Sequence, residues 1–457
     1  MAQTIAAIAT ASAPGGIGVV RISGDDAKVV ADKVFKSKSN KKITEAAGYT
    51  AAFGHILEQN VPTYECVALV FNSPKSYTGE DVVEFSCYGG MFVIRSVLRI
   101  VLENGARMAE AGEFTRRAFE NGKIGLTEAE AIMDIIGANG ENAAKAAITA
   151  HSGALFNEIN SIKDEIISVS SHLAAWADFP EEDIPEVEPL ALTQQLETQR
   201  ERIHKLIKSF DSGKLIRDGV NTAIVGKPNV GKSTLMNLLC GADTSIVTDI
   251  SGTTRDVVTS RVMFKDICLT LSDTAGIHTA GDEVEKIGVE RAKKVMEFSE
   301  LILVMVDSSR DLDNDDMELL KYCQDKRAVA IINKSDIDIN RAKSVEDTVK
   351  QYVNSTIIIS AKSNEGIDEL YNVVKDILSL NQFDPSQAML SNERQLDCAK
   401  RAEKSLTEGI ESLSLGYTLD AVSVCLQWTM EALMELTGEK VTEEVSDGIF
   451  HNFCVGK

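Results

Sequence analysis

The sequence predicts a multidomain chain made of an α+β N-terminal domain, an all-α helical domain and an α/β domain inserted into it. Three observations carry this. Short β-like runs and glycine turns alternate up to about residue 120, apolar residues then recur at helical spacing, and from about Gly213 to Phe383 apolar strands alternate with helices. Helical spacing returns after Pro385. A length of 457 residues suits roughly three domains at about 150 residues each.

Composition removes several classes. The chain is 44% hydrophobic and 25% charged with 8 prolines, which argues against disorder and low complexity. Its 47 basic and 69 acidic residues give a net charge of −22, a surface that repels phosphate backbones and anionic lipid unless cations are gathered locally. No apolar run approaches the roughly 18 residues of a membrane span. The opening MAQTIAAIATASA has no basic side chain before Arg21, so it reads as a mature cytosolic terminus of a cytoplasmic protein with no membrane association. The 8 cysteines lack C-x-x-C spacing and the 6 histidines lack pairing, which disfavours disulfide frameworks and zinc sites.

Along residues 1–120, Val19 to Ile22, Val67 to Phe71 and Asp81 to Phe85 read as strands and Phe92 to Leu102 as a helix. Gly15-Gly16-Ile17-Gly18 precedes a strand, so it is a turn and not a dinucleotide fingerprint. Thr127 with Glu130 resembles a capping box. Leu155, Ile159, Ile162, Ile166, Val169, Leu173 and Trp176 then describe a long amphipathic helix. After a breaker from Phe179 to Pro185, Leu192, Leu196, Ile203, Leu206 and Phe210 mark an antiparallel partner. Beyond Pro385 the stripe is Leu406, Ile410, Leu413, Tyr417, Ala421, Val424 and Trp428. Neither helical half completes a core, so residues 121–212 and 384–457 read as one discontinuous domain with 213–383 inserted; two separate helical domains are the alternative.

The inserted segment carries the strongest chemistry. Gly226-Lys227-Pro228-Asn229-Val230-Gly231-Lys232-Ser233 satisfies G-x-x-x-x-G-K-S between a strand-like Thr222 to Val225 and a helical Thr234 to Leu239. In such a loop backbone N–H groups wrap phosphates at a helix N-terminus, Lys232 sets a charge on the β/γ-phosphates and Ser233 offers a hydroxyl to Mg²⁺. Asp273-Thr274-Ala275-Gly276 follows the strand Cys268 to Ser272 and supplies an acidic contact toward Mg²⁺ and a glycine N–H for the γ-phosphate. Asn333-Lys334-Ser335-Asp336 follows Val329 to Ile332, and Asp336 can accept from both N1–H and the 2-amino group of guanine; adenine has no such donor pair. Ser360-Ala361-Lys362 completes the base pocket. These motifs together predict an α/β P-loop GTPase domain. In Gly252-Thr253-Thr254-Arg255-Asp256 a threonine hydroxyl could complete the Mg²⁺ shell. Ile277 stands where Ras-type enzymes have a water-positioning glutamine, so other groups must orient the nucleophile.

The chain as a whole resembles the MnmE (TrmE) family of tRNA-modification GTPases. The resemblance rests on Ala13-Pro14-Gly15-Gly16-Ile17-Gly18 running into Arg21-Ile22-Ser23-Gly24, on Tyr77-Thr78-Gly79-Glu80-Asp81, on Gly112-Glu113-Phe114-Thr115-Arg116-Arg117-Ala118-Phe119, on Asp178-Phe179-Pro180, and on the terminal Phe453-Cys454-Val455-Gly456-Lys457. It implies that Asn229, with Thr248, Ile250 and Thr253, holds a K⁺ ion in place of an arginine finger. Ser233 and Thr254 match its Mg²⁺ ligands. Glu285 resembles the carboxylate that orients the attacking water; without the resemblance it reads as a solvated helix charge.

The resemblance further implies a folate site at Arg21, Glu84, Lys123 and Lys457 for a tetrahydrofolate derivative, with residues 1–120 serving folate binding and dimerisation. Read alone, Arg21 and Glu84 are compatible with a surface pair. Cys454 reads as a reduced thiol in a packed tail rather than a nucleophile. The implied function is GTP hydrolysis coupled, with an FAD-containing MnmG (GidA)-like partner, to adding an aminomethyl or carboxymethylaminomethyl group at C5 of the wobble uridine of certain tRNAs. The implied assembly is a homodimer that joins the partner in a heterotetramer or larger, with tRNA held mainly by the partner. A regulatory switch GTPase in ribosome assembly is the alternative.

Overall fold

A computed structural model describes residues 3–178, 188–241, 259–272, 292–451 and 453–456. It divides into two compact units: Met1–Met133, His151–Glu197 and Arg401–Lys457 form one, Asp134–Ala150 and Thr198–Lys400 the other. Among the described residues no helix is long and apolar enough to cross a membrane.

The first unit begins with β1 (Ile5–Ile8), β2 (Ile17–Ser23), α1 (Ala27–Val34), β3 (Phe35–Ser37), β4 (Thr50–Glu58), β5 (Val61–Phe71), β6 (Val82–Tyr88), α2 (Met91–Glu103), β7 (Arg107–Met108) and α3 (Glu113–Glu120). The strands form one sheet in the order β3-β4-β5-β6-β2-β1-β7, antiparallel except where β1 meets β7. Alternation does the sorting: Val20 and Ile22 face the core with α1 and α2, while Arg21 between them faces the other side, opposite Glu84 of β6.

Next come α4 (Leu126–Gly137), α5 (Glu141–His151), α6 (Ala154–Asp178) and α7 (Pro189–Asp218). Leu155, Ile159, Ile162, Ile166 and Leu173 of α6 are buried, and α6 packs against the helix Leu419–Thr437. Trp176 is exposed, because it lies in the last turn of α6, beyond the buried run.

Two readings of local sequence are corrected. Helix α4 starts at Leu126, which places Thr127 inside it with its Oγ1 buried and unpartnered, while the Glu128 carboxylate accepts from Gly125 N–H at 2.6 Å and closes the N-terminus instead. The stripe after residue 385 is broken by a turn between the helices Glu393–Ser414 and Leu419–Thr437, which resets its phase. Tyr417, Val424 and Trp428 are therefore exposed, and Val422, Cys425, Leu426, Thr429 and Leu433 face inward.

The second unit is built on β8 (Val220–Val225), α8 (Lys232–Gly241), β9 (Thr259–Phe264), β10 (Ile267–Ser272), β11 (Leu301–Asp307), β12 (Ala328–Asn333) and β13 (Ser355–Ile358). Sheet order is β13-β12-β11-β8-β10-β9. Every residue of β11 and β12 is buried, as a strand covered on both faces must be, and separate apolar clusters line the two faces. The sheet is parallel except at its edge, where the two-residue turn Lys265-Asp266 sends β10 back antiparallel to β9.

The corrected phase has a measurable consequence. Leu426→Ala should destabilise the helical region by about 2–5 kcal/mol, whereas Trp428→Ala should cost less than about 1 kcal/mol. The midpoint of urea unfolding followed by circular dichroism separates the two outcomes.

Candidate functional site

Strand β8 runs into the glycine-rich loop and the loop into α8, so the first amides of α8 point toward the loop's mouth. Gly231 sits at φ +105°, and a Cβ there would lie 2.2 Å from Asn333 Nδ2. Val230 is buried beneath the loop, while Asn229, Ser233 and Thr234 are exposed at its mouth. Asn229 adopts φ +63°, a conformation asparagine tolerates. Lys232 Nζ donates to the carbonyls of Gly226 and Lys227, each at 2.7 Å, and burial pushes its pKa down. A phosphate at the mouth would give that half-buried cation a charged partner in place of two carbonyls.

Three loops meet beside it. Asn333, at the end of β12, donates from Nδ2 to Val230 O at 2.8 Å and accepts at Oδ1 from Ala361 N–H at 2.9 Å, so its amide joins the phosphate loop to the 360–362 loop. Ser360 Oγ donates to Asp336 Oδ1 at 2.8 Å, and Asp336 is otherwise exposed, free to accept a pair of donors. Lys362 is exposed next to them.

Two braces were not foreseen. Lys334 pairs with Asp307 at the end of β11. Burial works against the Asp307 carboxylate, but the bonds from Lys334 and Ser309 hold it below its usual range. Lys227 pairs with Asp313 at 2.7 Å and Asp315 at 3.2 Å, fixing the glycine loop from outside. Neither pair has a sequence signal, since the partners are far apart in the chain. Of the anticipated residues, Thr248, Ile250, Thr253, Thr254, Asp273, Thr274, Ala275, Gly276, Glu285 and Lys457 lie outside the described residues.

A second constellation forms on the N-terminal sheet. Arg21 Nε donates to Glu84 Oε1 at 2.7 Å, and its guanidinium lies 5.4 Å from the Tyr77 ring centroid and 5.6 Å from that of Phe114. Arg21 Nη1 also reaches Gly456 O at 3.4 Å. The chain's tail is thus held against the sheet, with Val455 bridging Ala111. Gly456 has φ +102°, and a Cβ would sit 2.2 Å from Ile8 O, so this approach needs glycine. Lys123 donates to Pro74 O at 3.1 Å, in the loop that leads to Tyr77. Cys454 is exposed; Phe450 and Phe453 do the packing in this tail.

A largely parallel sheet that ends in G-K-S at a helix N-terminus, with N-K-x-D at the end of a neighbouring strand, defines a P-loop GTPase domain. Residues 4–123 match the family described as GTP-binding protein TrmE N-terminus, and residues 126–454 match the MnmE helical domain. The tRNA modification GTPase MnmE of Clostridioides difficile is 40% identical over 458 residues, covering 100% of this chain and 99% of that one. That of Lactobacillus johnsonii is 38% identical, covering 100% and 98%. A crystal structure of Aquifex aeolicus Era overlaps 41% of this chain and 66% of its own at 30% identity, with a TM-score of 0.28. The chain belongs to the MnmE family of tRNA modification GTPases. It is accordingly a GTP hydrolase that acts in tRNA modification.

Asp336→Asn replaces an acceptor by a donor. It should weaken GTP binding by about 10- to 100-fold, the loss of one or two contacts at about 1–3 kcal/mol each, and improve binding of a nucleotide whose base carries a C2 carbonyl instead of the amino group. Competition with a fluorescent GDP derivative measures both.

Proposed function

We propose that this GTPase works in a K⁺-stimulated cycle and, with an FAD-dependent MnmG-like partner, installs an aminomethyl or carboxymethylaminomethyl group at C5 of the wobble uridine of certain tRNAs. The one-carbon unit comes from a tetrahydrofolate derivative. The observation that supports this over a simple switch is the Arg21–Glu84 pair, flanked by two aromatic rings and closed by the tail. A switch needs no such constellation. A carboxylate beside planar rings suits the amide and amino edge of a pteridine, for the reason that Asp336 suits guanine.

In this reading Lys232 and the N-terminus of α8 hold the β/γ-phosphates, with Asn229, Val230, Gly231 and Thr234 shaping the cradle. Ser233 and Thr254 would hold Mg²⁺, with Asp273 as its acidic contact, and Thr274, Ala275 and Gly276 would serve the γ-phosphate. Bound Mg²⁺ neutralises charge on the phosphates. Asn333, Lys334, Asp336, Ser360, Ala361 and Lys362 form the guanine pocket. Asn229, Thr248, Ile250 and Thr253 hold K⁺, whose charge would meet the negative charge that develops during phosphoryl transfer. Glu285 orients the attacking water. Arg21, Glu84, Lys123 and Lys457 hold the folate. The active form is a homodimer that joins its partner in a heterotetramer or larger and leaves most tRNA contacts to it, in keeping with a net charge of −22.

Replacing K⁺ by Na⁺ at constant ionic strength should lower the GTP hydrolysis rate by about 10-fold or more; equal rates would remove the cation assignment. In calorimetry, 5-formyltetrahydrofolate should release heat on binding the wild-type chain and little on binding Arg21→Ala. No heat from the wild type at high ligand concentration would leave a GTPase without a folate role.

A further inference from the structure

The turn between β9 and β10 breaks a local rule. Phe264 pairs with Ile267, so Lys265 and Asp266 alone reverse the chain, and Lys265 stands at φ +56°, where such turns favour glycine or asparagine. A lysine persists in that conformation only when its surroundings hold it there. Here both turn side chains are engaged. Lys265 Nζ lies 2.7 Å from Asp368 and 4.5 Å from the centroid of the Tyr371 ring. Asp266 Oδ1 accepts from Tyr371 Oη at 2.5 Å, and Asp266 Oδ2 accepts from Asn142 Nδ2 at 2.7 Å.

Asn142 lies in the first turn of α5, and Tyr371 in the helix Ile367–Ile377, so the tip of the hairpin is clasped by two helices distant in sequence. The contact extends beyond the charges. The Tyr371 ring meets Phe264 edge-on at 5.7 Å, and Gly140, just before α5, lies against Met263. Burial first, then the bond to Asp266 and its charge, push the Tyr371 phenol up to about 12. That phenol donates throughout the neutral range.

The hairpin's other end explains why such a clasp matters. β9 and β10 are paired without interruption from Phe264–Ile267 to Thr259–Ser272. β10 also pairs with β8, the strand that feeds the phosphate loop. By chain continuity, β9 follows the segment bearing Thr253 and Thr254, and β10 leads directly into Asp273. A ladder this short transmits a shift of its tip to both ends at once.

We propose that Asp266 is a positioning residue for GTP hydrolysis: it holds the β9–β10 turn to Asn142 and Tyr371 and so sets the strand ends from which both of those segments start. The inference rests on the assignment of Thr254 and Asp273 to the Mg²⁺ shell given above. It requires no contact between Asp266 and nucleotide, so its signature is a fall in kcat without a change in binding.

The test is steady-state GTP hydrolysis by the full chain in K⁺ buffer, alongside binding of fluorescent GDP. Asp266→Ala should lower kcat by about 5- to 10-fold, the scale expected of small misplacements remote from the chemistry, with KM and GDP affinity changed by less than about twofold. Asp266→Asn should recover most of the rate, because its amide can keep both bonds once Asn142 turns its own amide over. Tyr371→Phe removes a single oxygen and guards against a misfolded alanine variant. It should cost about two- to threefold in kcat and add nothing on top of Asp266→Ala, as expected when both changes break one clasp. Wild-type kcat in Asp266→Ala, an equal loss in Asp266→Asn, or additive losses in the double variant would each overturn the proposal. Asp273→Asn is the separate control: if it hydrolyses GTP normally, the metal-shell assignment fails instead.

Discussion

The side-chain amide of Asn333 is the constraint on which the nucleotide site depends. It is 3% exposed, and its two ends bind the backbone of two different loops, Val230 O on one side and Ala361 N–H on the other. Losing it would orphan a buried carbonyl and a buried N–H, each a cost of about 1–3 kcal/mol. The phosphate loop and the 360–362 loop are therefore tied together through this one amide. Gly231 must be glycine for the same reason, since a Cβ would occupy the space of that amide nitrogen. Asn333 shapes the site by holding these loops, which leaves the exposed Asp336 as the group turned outward.

The N-terminal sheet solves a related problem with charge. Arg117 and Glu113 are both buried, which is tolerable only because each is saturated. Arg117 binds Glu80, Glu113 and Gln3 O; Glu113 also takes both ends of Arg107. Glu80 accepts from Ser23 Oγ at 2.7 Å, and Ser23 Oγ lies 2.7 Å from Thr78 Oγ1. The network thus pins the 77–81 loop to β2 and α3. Tyr77, in that loop, bonds Thr115 of α3 at 2.8 Å and presents its ring to Arg21. The β2–β6 register sets Arg21 against Glu84, and the buried ion pairs hold the loop that brings the Tyr77 ring to them.

What could be read from sequence was what has a fixed local geometry. The G-x-x-x-x-G-K-S loop demands a strand before it and a helix after it, and β8 and α8 stand there. Arg21 and Glu84 each lie on a strand whose alternation is visible, although only the register of β2 with β6 makes them a pair. Failures arose where a period crosses a chain reversal. The apolar spacing from Ile410 to Trp428 is consistent with one helix, but the turn after Ser414 rotates everything beyond it. Thr127 with Glu130 has capping-box spacing, yet Gly125 and Glu128 close that helix because the chain enters it two residues earlier. Ion pairs such as Lys227 with Asp313 have no period at all and become visible only in three dimensions.

The acidity of the chain takes on a specific meaning once its cations are located. Arg21, Arg107, Arg116, Arg117, Arg217, Arg310 and Arg341 all pair with carboxylates. A guanidinium already neutralised by a neighbour contributes little to the field that draws in a phosphate backbone, because release of counterions from nucleic acid requires cations that are free to replace them. Lys232 differs from these arginines: its partners are carbonyls rather than carboxylates, and it lies at a helix N-terminus. Its charge is thus held, without a carboxylate beside it, where a nucleotide's phosphates would enter. A net charge of −22 suits the proposed division of labour, in which the tRNA backbone is held chiefly by the partner.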